Sequence, residues 1–373
     1  MKNCDFLIIG AGIAGAAAGY FLRGHGRVVV LERENQPGYH TTGRSAAFYA
    51  RSYGNENIRP LTLASGPFLH DPPEGFADAP VLSDRGALYI AREDQRASLT
   101  AFHERLIGLT PDIELISGDA VLDRCAAVRP GYAVCGVVDD GCYDIDVNVL
   151  HQGYLRGIRQ AGGIIETDAG VTGLTYQDGA WQVETGNGAY RAPIVINAAG
   201  AWADAVAGKA GLNPLGLQPL RRTVVMLPAP DNYDPAWPLV LDVDDQFYFK
   251  PESGRMLTSP GDETLVPPSD VQPEEIDIAV TIDRIQKATT IAAPRVESSW
   301  AGLRTFAPDR TPVVGADPDA TGFFWFAGQG GYGIKTSPVM GRMLETLIVE
   351  GRVPDDLAPY PVSAATYAPN RFR

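Results

Sequence analysis

The stretch FLIIGAGIAGAAAGYFLRGHGRVVVLE, residues 6–32, decides the fold class of this chain. Its apolar runs and glycines predict four elements in order: a buried strand Phe6–Ile9, a glycine-rich turn Gly10–Gly15, a helix through Leu22, and a second strand Val28–Leu31 that ends at Glu32. A G-x-G-x-x-G motif alone is a weak signal. Between a strand and a helix, with an acidic residue about 17 positions past the last glycine, it predicts a βαβ unit that binds a dinucleotide.

The three motif glycines each have a distinct expected role. Gly10 permits the tight turn, Gly12 lets a pyrophosphate approach the backbone, and Gly15 lets the helix pack on the strand. Phosphates would meet the unpaired N–H groups and positive dipole of the helix N-terminus, so no lysine is needed. Glu32 can accept hydrogen bonds from both ribose hydroxyls. The structural alternative is a glycine-rich βαβ unit without a ligand.

The same apolar run could also be a signal peptide or a membrane span, because Lys2 precedes it. Asp5 interrupts its start, its glycines would weaken an isolated helix, and Tyr20 and Arg23 arrive too early for a clean span. We therefore expect no transmembrane segment and a cytoplasmic protein, with peripheral attachment to a membrane as the alternative.

Composition limits the class of protein. The 373 residues suffice for about two ordinary domains, and 45% hydrophobic with 20% charged residues is typical of a globular chain. The formal net charge of -14 would repel a phosphate backbone, so we expect no nucleic-acid partner. The four cysteines, Cys4, Cys125, Cys135 and Cys142, lack C-x-x-C spacing, which favours reduced structural thiols and no metal site.

A second G-x-G-x-x-G match, Gly328–Gly333, follows the apolar strand Phe323–Ala327. Only 23 residues follow Glu350, the acid at a matching distance, and these are too few for another nucleotide-binding half. We expect the loop to lead instead into a helix with these signals: a cap at Thr336 or Ser337, Pro338 in the first turn, and an end near Gly351. One dinucleotide motif and a distant second helix N-terminus together suggest FAD.

The rest of the chain predicts two intermixed regions. Helical spacing and alternation predict these further elements: helices around 94–108 and from Val147 to Ile158, strands Ile164–Thr167, Gly173–Tyr176, Trp181–Thr185 and Ile194–Asn197, and alternating runs Arg222–Leu227 and Gln246–Lys250. No repeat or linker separates them. We therefore predict interleaved domains: one made of residues 1–47, 145–217 and 301–373, the other of residues 48–144 and 218–300.

Seven stretches carry a resemblance to a known family: IIGAGIAGA, VVVLERENQPGYHTTGRSAA, HQGYLRGIRQ, VINAAGAWAD, GLQPLRR, WAGLRTFAPD and AGQGGYGIKTS. Together they resemble the D-amino-acid oxidase (DAO) superfamily of FAD-dependent oxidoreductases over essentially the whole chain, and within it most of all the D-arginine dehydrogenases. The resemblance implies an α/β fold: a Rossmann-like FAD-binding domain of the glutathione-reductase type, interleaved with an α+β substrate domain on a mostly antiparallel sheet. Because no Cys or His lies near Gly328–Gly333, we expect noncovalent FAD.

The same resemblance assigns contacts with FAD. They are Gly10, Gly12, Ala14, Gly15, Glu32 and Arg33 at the dinucleotide end, Thr42, Gly43, Arg44, Ser45 and Ala46 along the flavin, Val171, Ala199 and Gly200, and Gly330, Gly331, Tyr332, Gly333, Ile334, Lys335 and Thr336. Arg44 would meet the flavin edge or a nearby carbonyl, and its alternative is a surface salt bridge. Lys335 replaces a glutamine of the D-arginine dehydrogenases. Near the flavin pyrimidine it would stabilise the reduced flavin, and its alternative is a lysine that reaches solvent.

The substrate end is also assigned by resemblance. Arg222, Arg304 and Tyr248 match the residues that surround an α-amino acid carboxylate, and two guanidiniums can grip a carboxylate through paired bonds. A structural ion pair is the alternative for each arginine. Tyr53 matches a substrate-facing tyrosine on a mobile loop, whereas Tyr49 reads as an ordinary packed aromatic.

The side-chain pocket departs from the arginine enzymes. We expect it to be lined by Phe48, Ala50, Ala87, Leu239, Leu241 and Gly331. Ala87 stands where those enzymes carry an acid for the guanidinium, so the family resemblance implies oxidation of neutral, apolar D-amino acids to imino acids. Rival functions are an oxidase of glycine or sarcosine-type amines that uses O2, a 2-hydroxy-acid dehydrogenase, and a flavoprotein subunit that needs a partner. The electron acceptor, whether quinone, carrier protein or O2, stays open.

Overall fold

A computed structural model of the chain describes residues 1–108, 110 and 113–373. Its strands are β1 Lys2–Asn3, β2 Phe6–Ile9, β3 Val28–Leu31, β4 Phe48–Tyr49, β5 Leu82–Asp84, β6 Ala87–Ala91, β7 Ile113–Ser117, β8 Cys135–Asp139, β9 Tyr143–Ile145, β10 Ile164–Glu166, β11 Val171–Gln177, β12 Ala180–Thr185, β13 Gly188–Ala192, β14 Ile194–Asn197, β15 Gln218–Pro228, β16 Leu239–Asp242, β17 Tyr248–Glu252, β18 Arg255–Ser259, β19 Thr264–Leu265, β20 Ser298–Phe306, β21 Val313–Ala316, β22 Phe323–Ala327 and β23 Gln329–Gly330. Its α-helices are α1 Ile13–Leu22, α2 Arg59–His70, α3 Arg96–Leu106, α4 Gly118–Arg124, α5 Val147–Gln160, α6 Ala203–Lys209, α7 Glu275–Ala288, α8 Gly333–Val349 and α9 Ala364–Tyr367.

The opening βαβ unit has the predicted bounds, and it forms the centre of a six-stranded sheet in the order β10-β3-β2-β14-β22-β21. All neighbours in this sheet are parallel except β21, which runs antiparallel to β22. Each residue of β2 and β3 is buried, because a parallel sheet is covered on both faces and its strands are therefore continuously apolar.

Two different layers cover the faces of this parallel sheet. Helices α1, α5 and α8 pack on one face, where Ile8 and Ile196 of the sheet meet Tyr154 and Met340 of the helices. A four-stranded sheet, β1-β13-β12-β11, supplies the other cover, with Trp181 among the buried residues of that layer. The carboxyl ends of the parallel strands are left open between these layers, which is where α/β sheets bind ligands.

A ten-stranded sheet forms the second large layer of the molecule. Nine strands follow the order β23-β20-β15-β18-β17-β16-β6-β8-β7, and the tenth, β19, pairs with β15. The sheet is antiparallel except for the pair β16·β6. Alternate residues of β15 face opposite ways: Val225 and Leu227 pack in an outer core with α4 and α7, whereas Val224 and Met226 belong to an inner cluster around Tyr248. The inner face is therefore the one that reaches the open end of the parallel sheet.

The predicted fold class is confirmed: an α/β FAD-binding fold combined with a mostly antiparallel sheet. Residue 301, where one predicted domain boundary lies, falls inside β20, which pairs along its length with β15. We propose that this boundary lies beyond Phe306. The other boundaries stay a prediction.

The start of α8 differs from the prediction. The helix begins at Gly333, with Tyr332 at its N-cap position, so Pro338 lies inside the helix rather than in its first turn. Proline has no N–H to donate to the carbonyl four residues earlier. The Ser337 hydroxyl donates to that carbonyl, on Ile334, at 2.9 Å. Three residues that were expected to precede the helix therefore form its first turn.

The cysteines are buried and unpaired with each other. Burial raises the pKa of the Cys4 thiol to about 12 and that of Cys125 to about 11, so both stay protonated and unreactive near neutral pH. Among the helices that the structure describes, none is long and apolar enough to cross a membrane. Tyr49 packs as a buried aromatic against His70 and Tyr143.

Candidate active site

A cavity of about 610 Å³ runs from the end of β3 to the inner face of the ten-stranded sheet. Ligand cavities in proteins typically measure about 300–1,000 Å³. Seventeen of the predicted cofactor residues line it: Gly10, Gly12, Ala14, Glu32, Arg33, Thr42, Arg44, Ser45, Ala46, Val171, Ala199, Gly200, Gly330, Gly331, Gly333, Ile334 and Lys335. The chain thus brings together, along one cavity, residues that are more than 300 positions apart in sequence.

Four predicted cofactor residues do not line the cavity but hold its walls. A Cβ at Gly15 would lie 1.8 Å from the carbonyl oxygen of Gly10, so this glycine lets α1 pack against the turn. Gly43 closes a turn by donating its N–H to the Gly38 carbonyl at 2.8 Å. Tyr332 occupies the N-cap position of α8, and the Thr336 hydroxyl in the first turn donates to its carbonyl at 3.0 Å.

The glycine turn is locked by two side chains. Gly10 has a φ of 101°, a left-handed conformation that favours glycine. Glu32, which is 7% exposed, accepts the N–H of Ala11 at 2.8 Å through Oε2 and that of Glu34 at 3.0 Å through Oε1. Each carboxylate oxygen keeps a second lone pair for a hydroxyl in the cavity. The Thr42 hydroxyl accepts the N–H of Ile13 at 2.9 Å and so binds the N-terminus of α1.

Sequence reasoning did not predict that the rings of Trp202 and His40 lie together at this end of the cavity. The Arg33 guanidinium lies over the ring of Trp202, 4.7 Å from its centroid, and the His40 ring lies at the same distance from Trp202. Both aromatic residues line the cavity. A planar base would find a stacking surface here.

Arg44 makes the carbonyl contact that was expected for it and also the alternative contact, an ion pair. Its guanidinium donates to the carbonyls of Val271 at 3.0 Å and Ala301 at 3.1 Å, and it forms an ion pair with Asp270. Of the two contacts expected for Arg44, the one with nearby carbonyls is present. The side chain therefore ties the cavity-lining stretch to the substrate sheet.

Arg222 and Arg304 lie side by side on the inner face of the large sheet. Arg222 on β15 pairs with Gly302 on β20, two residues before Arg304, so both side chains leave the same face. The Arg222 side chain is 5% exposed; Nε donates to the Asp262 carbonyl at 2.9 Å. Its Nη1 is buried and has no hydrogen-bond partner among the described residues. Both arginines line the cavity.

Two acidic residues near Arg222 were missed by sequence reasoning. Nη2 of Arg222 lies 3.5 Å from Asp245 and 3.4 Å from Glu263, both long for charge-assisted bonds. Glu263 is held more closely by Arg310, at 2.8 Å. Both acids lie in loops with no periodic pattern, so no sequence signal pointed to them. The loose pairing leaves Arg222 able to bind another anion.

Aromatic rings surround the second arginine. Nη1 of Arg304 donates to the Tyr53 hydroxyl at 3.2 Å. The Tyr53 ring lies between Phe48 and Tyr332, with centroid distances of 5.1 and 5.3 Å. Tyr248 also lines the cavity, as do Phe48 and Tyr53. All four predicted catalytic residues therefore line the same cavity: Tyr53, Arg222, Tyr248 and Arg304.

Most of the predicted side-chain pocket lies behind this wall. Ala50, Ala87, Leu239 and Leu241 do not line the cavity but belong to the buried apolar cluster that contains Tyr248. Ala87 is 1% exposed and pairs with Leu239 in the parallel β6·β16 ladder. Only Phe48 and Gly331 of the predicted pocket residues reach the cavity. The prediction that the other four line the cavity is therefore wrong for this structure, because the rings of Phe48, Tyr53 and Tyr248 form the wall.

Comparison with known proteins identifies the family. The family model described as DAO, FAD dependent oxidoreductase, matches residues 5–347. The chain belongs to the DAO family. An uncharacterised oxidoreductase, YurR, of Bacillus subtilis is 25% identical to this DAO protein over 97% of this chain and 99% of its own length. The mitochondrial dimethylglycine dehydrogenase of mouse is 24% identical over 95% of this chain, which spans only 43% of that protein. The crystal structure of glycine oxidase from Geobacillus kaustophilus matches the fold with a TM-score of 0.82 at 22% identity, covering 97% of this chain and 99% of that one.

The cofactor of this DAO protein is FAD, and the cavity suits it. The glycine turn cannot accept side chains, because a Cβ at Gly10 would lie 2.5 Å from the Ala198 carbonyl oxygen. The cavity continues from that turn to the N-terminus of α8. It therefore has room for the pyrophosphate of FAD at the glycine turn and for the flavin further along. Helix N-termini at both points favour negative charge.

Lys335 lies in the first turn of α8 and is 2% exposed. Its Nζ donates to the carbonyls of Ala50 at 3.2 Å and Tyr53 at 2.5 Å. Desolvation by burial lowers the pKa of this lysine to about 7, although the nearby Cys142 and Asp139 oppose the shift. The alternative of a lysine reaching solvent is therefore wrong in this structure. Its ammonium group contacts the Tyr53 loop, a contact that the sequence did not predict.

Proposed function

We propose that this DAO protein oxidises the Cα–N bond of free α-amino acids, of D configuration and with neutral side chains, to imino acids. The observation that carries the proposal is Nη1 of Arg222, which lies beside Arg304 at the end of the FAD cavity. This atom is buried and has no hydrogen-bond partner in the part of the chain that the structure describes. A buried donor without a partner is costly, and a carboxylate would satisfy it. We infer the D configuration from the resemblance of the sequence to D-arginine dehydrogenases.

The arginine pair would fix the substrate through its carboxylate. Arg222 offers Nη1 and its loosely paired Nη2, and Arg304 adds a second guanidinium. The Tyr53 hydroxyl, which accepts a hydrogen bond from Arg304, and Tyr248 complete the polar contacts. Paired, charge-assisted bonds set the orientation as well as the position of a carboxylate, and orientation decides which Cα hydrogen faces the cofactor.

The amine must be neutral before it can give up hydride from its α-carbon. The guanidiniums of Arg222 and Arg304 and the removal of water by the aromatic wall both disfavour a charged ammonium in this cavity. No dedicated general base is needed, because a lowered ammonium pKa lets water remove the proton. The imino acid hydrolyses in water to an oxo acid and ammonia.

The residues along the cavity would hold FAD without a covalent bond. We propose that the turn at Gly10 and Gly12 contacts the pyrophosphate and that Glu32 accepts hydrogen bonds from the ribose hydroxyls. Residues within the stretches 42–46 and 330–335 would contact the flavin. When bound, FAD supplies a two-electron acceptor for the hydride of the substrate. Acid precipitation should release intact FAD into the supernatant, and colour that stays in the pellet would contradict noncovalent binding.

Two observations favour a second candidate, an oxidase of glycine or of small N-methylated amines such as sarcosine. The aromatic wall of Phe48, Tyr53 and Tyr248 stands in front of the apolar positions that were expected to receive a side chain. Glycine oxidase is also among the similar proteins in both sequence and structure. A small substrate would need the same carboxylate grip but no side-chain pocket.

Flavin reduction without oxygen separates these functions. The purified holoenzyme is mixed anaerobically with D-Leu, D-Met, D-Phe, D-Ala, D-Arg, their L forms, glycine, sarcosine and D-lactate, and bleaching of the flavin is followed. Bleaching by neutral D-amino acids supports the proposal, and bleaching only by glycine and sarcosine supports the second candidate. Bleaching by D-lactate alone would contradict both functions and indicate a 2-hydroxy-acid dehydrogenase. Turnover with an artificial dye and with O2 then identifies the class of acceptor, and shows whether the chain acts without a partner protein.

A further inference from the structure

A buried lysine holds the loop that carries Tyr53. Residues Ala50 to Tyr53 form a tight turn in which the Tyr53 N–H donates to the Ala50 carbonyl at 3.4 Å. Lys335 donates to both ends of this turn, to the carbonyls of Ala50 and Tyr53. Because Lys335 belongs to the first turn of α8, the loop and the helix N-terminus are joined through one ammonium group.

The other end of Tyr53 reaches the substrate end of the cavity. Its hydroxyl accepts a hydrogen bond from Arg304, and its ring lies between Phe48 and Tyr332. The Lys335 Nζ also lies 5.0 Å from the centroid of the Tyr53 ring. A chain of contacts therefore links Lys335, the backbone of Tyr53, the hydroxyl of Tyr53 and the guanidinium of Arg304.

We propose that Lys335 is a positioning residue that fixes the Tyr53 loop over the substrate site and, through the Tyr53 hydroxyl, sets the position of Arg304. The inference rests on the proposed carboxylate grip of Arg304 and adds a residue to it. Lys335 need not touch the substrate in this role. Without its ammonium group, the carbonyls of Ala50 and Tyr53 lose a shared donor, and the loop can move away from the cavity.

The surroundings of Lys335 explain why one long cationic side chain suits this place. Electrostatic interactions with Cys142 and Asp139 favour its charge, whereas that with Arg59 opposes it. Nζ lies 5.0 and 5.5 Å from the ring centroids of Tyr53 and Tyr332. Three donors on one ammonium can serve two carbonyls from different positions of a turn, which a shorter amide does less well. Burial makes each of these bonds matter, because few waters can replace them.

The test replaces Lys335 with Met, which keeps the length of the side chain but removes its donors. Hydrogen–deuterium exchange of the holoenzyme without substrate should show amides of residues 50–55 exchanging about tenfold faster or more, since charge-assisted hydrogen bonds are lost. With the amino acid that reduces the flavin best, KM should rise about tenfold while kcat changes less, because uniform binding is lost. Lys335→Gln, which keeps an amide donor, should give smaller changes in both measurements. It also serves as the test variant if the Met form does not fold.

A double-mutant cycle shows whether the effect passes through Tyr53. If it does, Lys335→Met should raise KM much less in a Tyr53→Phe background than in the wild type. Lys250→Met is the matched control: this lysine is also buried but binds Asp144 and Glu252, so its loss should not speed exchange in residues 50–55. Unchanged exchange in the loop of Lys335→Met, or fully additive KM effects, would overturn the proposal. The exchange result does not depend on the substrate, so it stands even if the proposed function fails.

Discussion

The guanidinium of Arg304 lies directly against Gly331. A Cβ built on this glycine would lie 2.9 Å from Cζ of Arg304 and 3.0 Å from its Nε and Nη1. Gly331 does not have a left-handed backbone, so its glycine is required by space rather than by conformation. The loop before α8 therefore makes room for an arginine of the large sheet. At this contact the part of the cavity formed by the loop meets the part formed by the sheet.

Gly331→Ala should displace Arg304 and weaken substrate binding. We expect kcat/KM for the best substrate to fall about tenfold, as for the loss of one charge-assisted bond. Gly208→Ala is the matched control, since nothing lies within 4 Å of a Cβ added there. Steady-state kinetics and the FAD content of both variants are the measurements. A Gly331→Ala enzyme with unchanged kcat/KM would show that Arg304 does not grip the substrate from its present position.

The neighbouring residues Arg221 and Arg222 allow a sharper comparison. Arg222 faces the cavity, whereas Arg221 faces outward and forms ion pairs with Glu274 and Asp277 of the α7 region. Arg222→Met should lower kcat/KM at least about tenfold with little change in FAD content. Arg221→Met should instead lower the melting temperature and leave KM unchanged. If both variants behave alike in KM, the carboxylate binds elsewhere.

Lys335 should also give the folded protein a pH dependence. Its pKa is about 7 in the fold, against an ordinary value of 10.5, so between these values the unfolded chain binds more protons than the folded one. Stability must then rise with pH across this window, and the destabilising effect of the buried charge is complete below about pH 7. Electrostatic interactions with Cys142 and Asp139 limit this lowering of the pKa, whereas that with Arg59 adds to it.

The pH effect of Lys335 is isolated by comparing wild type with Lys335→Met in urea unfolding. The difference in the free energy of unfolding, wild type minus variant, should increase between about pH 7 and about pH 10.5. All other titrating groups are common to both proteins and largely cancel in this difference. Parallel stability curves would mean that Lys335 titrates at its ordinary pKa and is not buried in solution.

The sequence predicted those parts of the fold that depend on local patterns. The βαβ unit around Gly10 has the predicted bounds. Its two apolar strands, its glycine turn and its helix all lie within 27 consecutive residues, so a local pattern is enough to predict them. Helix α2 was missed: Pro60 and Pro67 lie within it, and proline usually argues against a helix. Strand β6 was missed as well, since five buried residues in the middle of a large sheet show no alternation.

The candidate site divides in a similar way. Arg222 and Arg304 were found because they lie in motifs that resemble a known family, and Tyr53 because its position matches a substrate-facing tyrosine of that family. The structure brings all three to one cavity. The direction of Lys335 and the loose pairing of Arg222 with Asp245 depend on loops from distant parts of the chain. No local pattern encodes such contacts. The depth of Ala87 behind the aromatic wall had the same cause, since it follows from how Phe48 and Tyr248 fill the space.

A substitution at Ala87 tests whether the layer behind the cavity wall can influence substrate preference. This residue lies on the inner face of the large sheet in the cluster that holds Tyr248 and Leu241, one layer behind the cavity wall. A glutamate side chain at this position would extend towards the cavity. Its carboxylate would be costly to bury without a polar or charged partner. We expect Ala87→Glu to raise the ratio of kcat/KM for D-Arg over D-Leu, since a guanidinium entering the cavity would satisfy the carboxylate.

Ala87→Gln is the matched control, because it has the same shape without the charge. The ratio for D-Arg over D-Leu should rise clearly in the Glu variant and hardly in the Gln variant, at equal FAD occupancy. Phe48 still narrows the way to this layer, so the change should be incomplete, and Ala87→Glu with Phe48→Ala should increase it further. A wild type that already prefers D-Arg would contradict the neutral-substrate proposal. Equal ratios in the Glu and Gln variants would show that a side chain at position 87 does not reach the substrate.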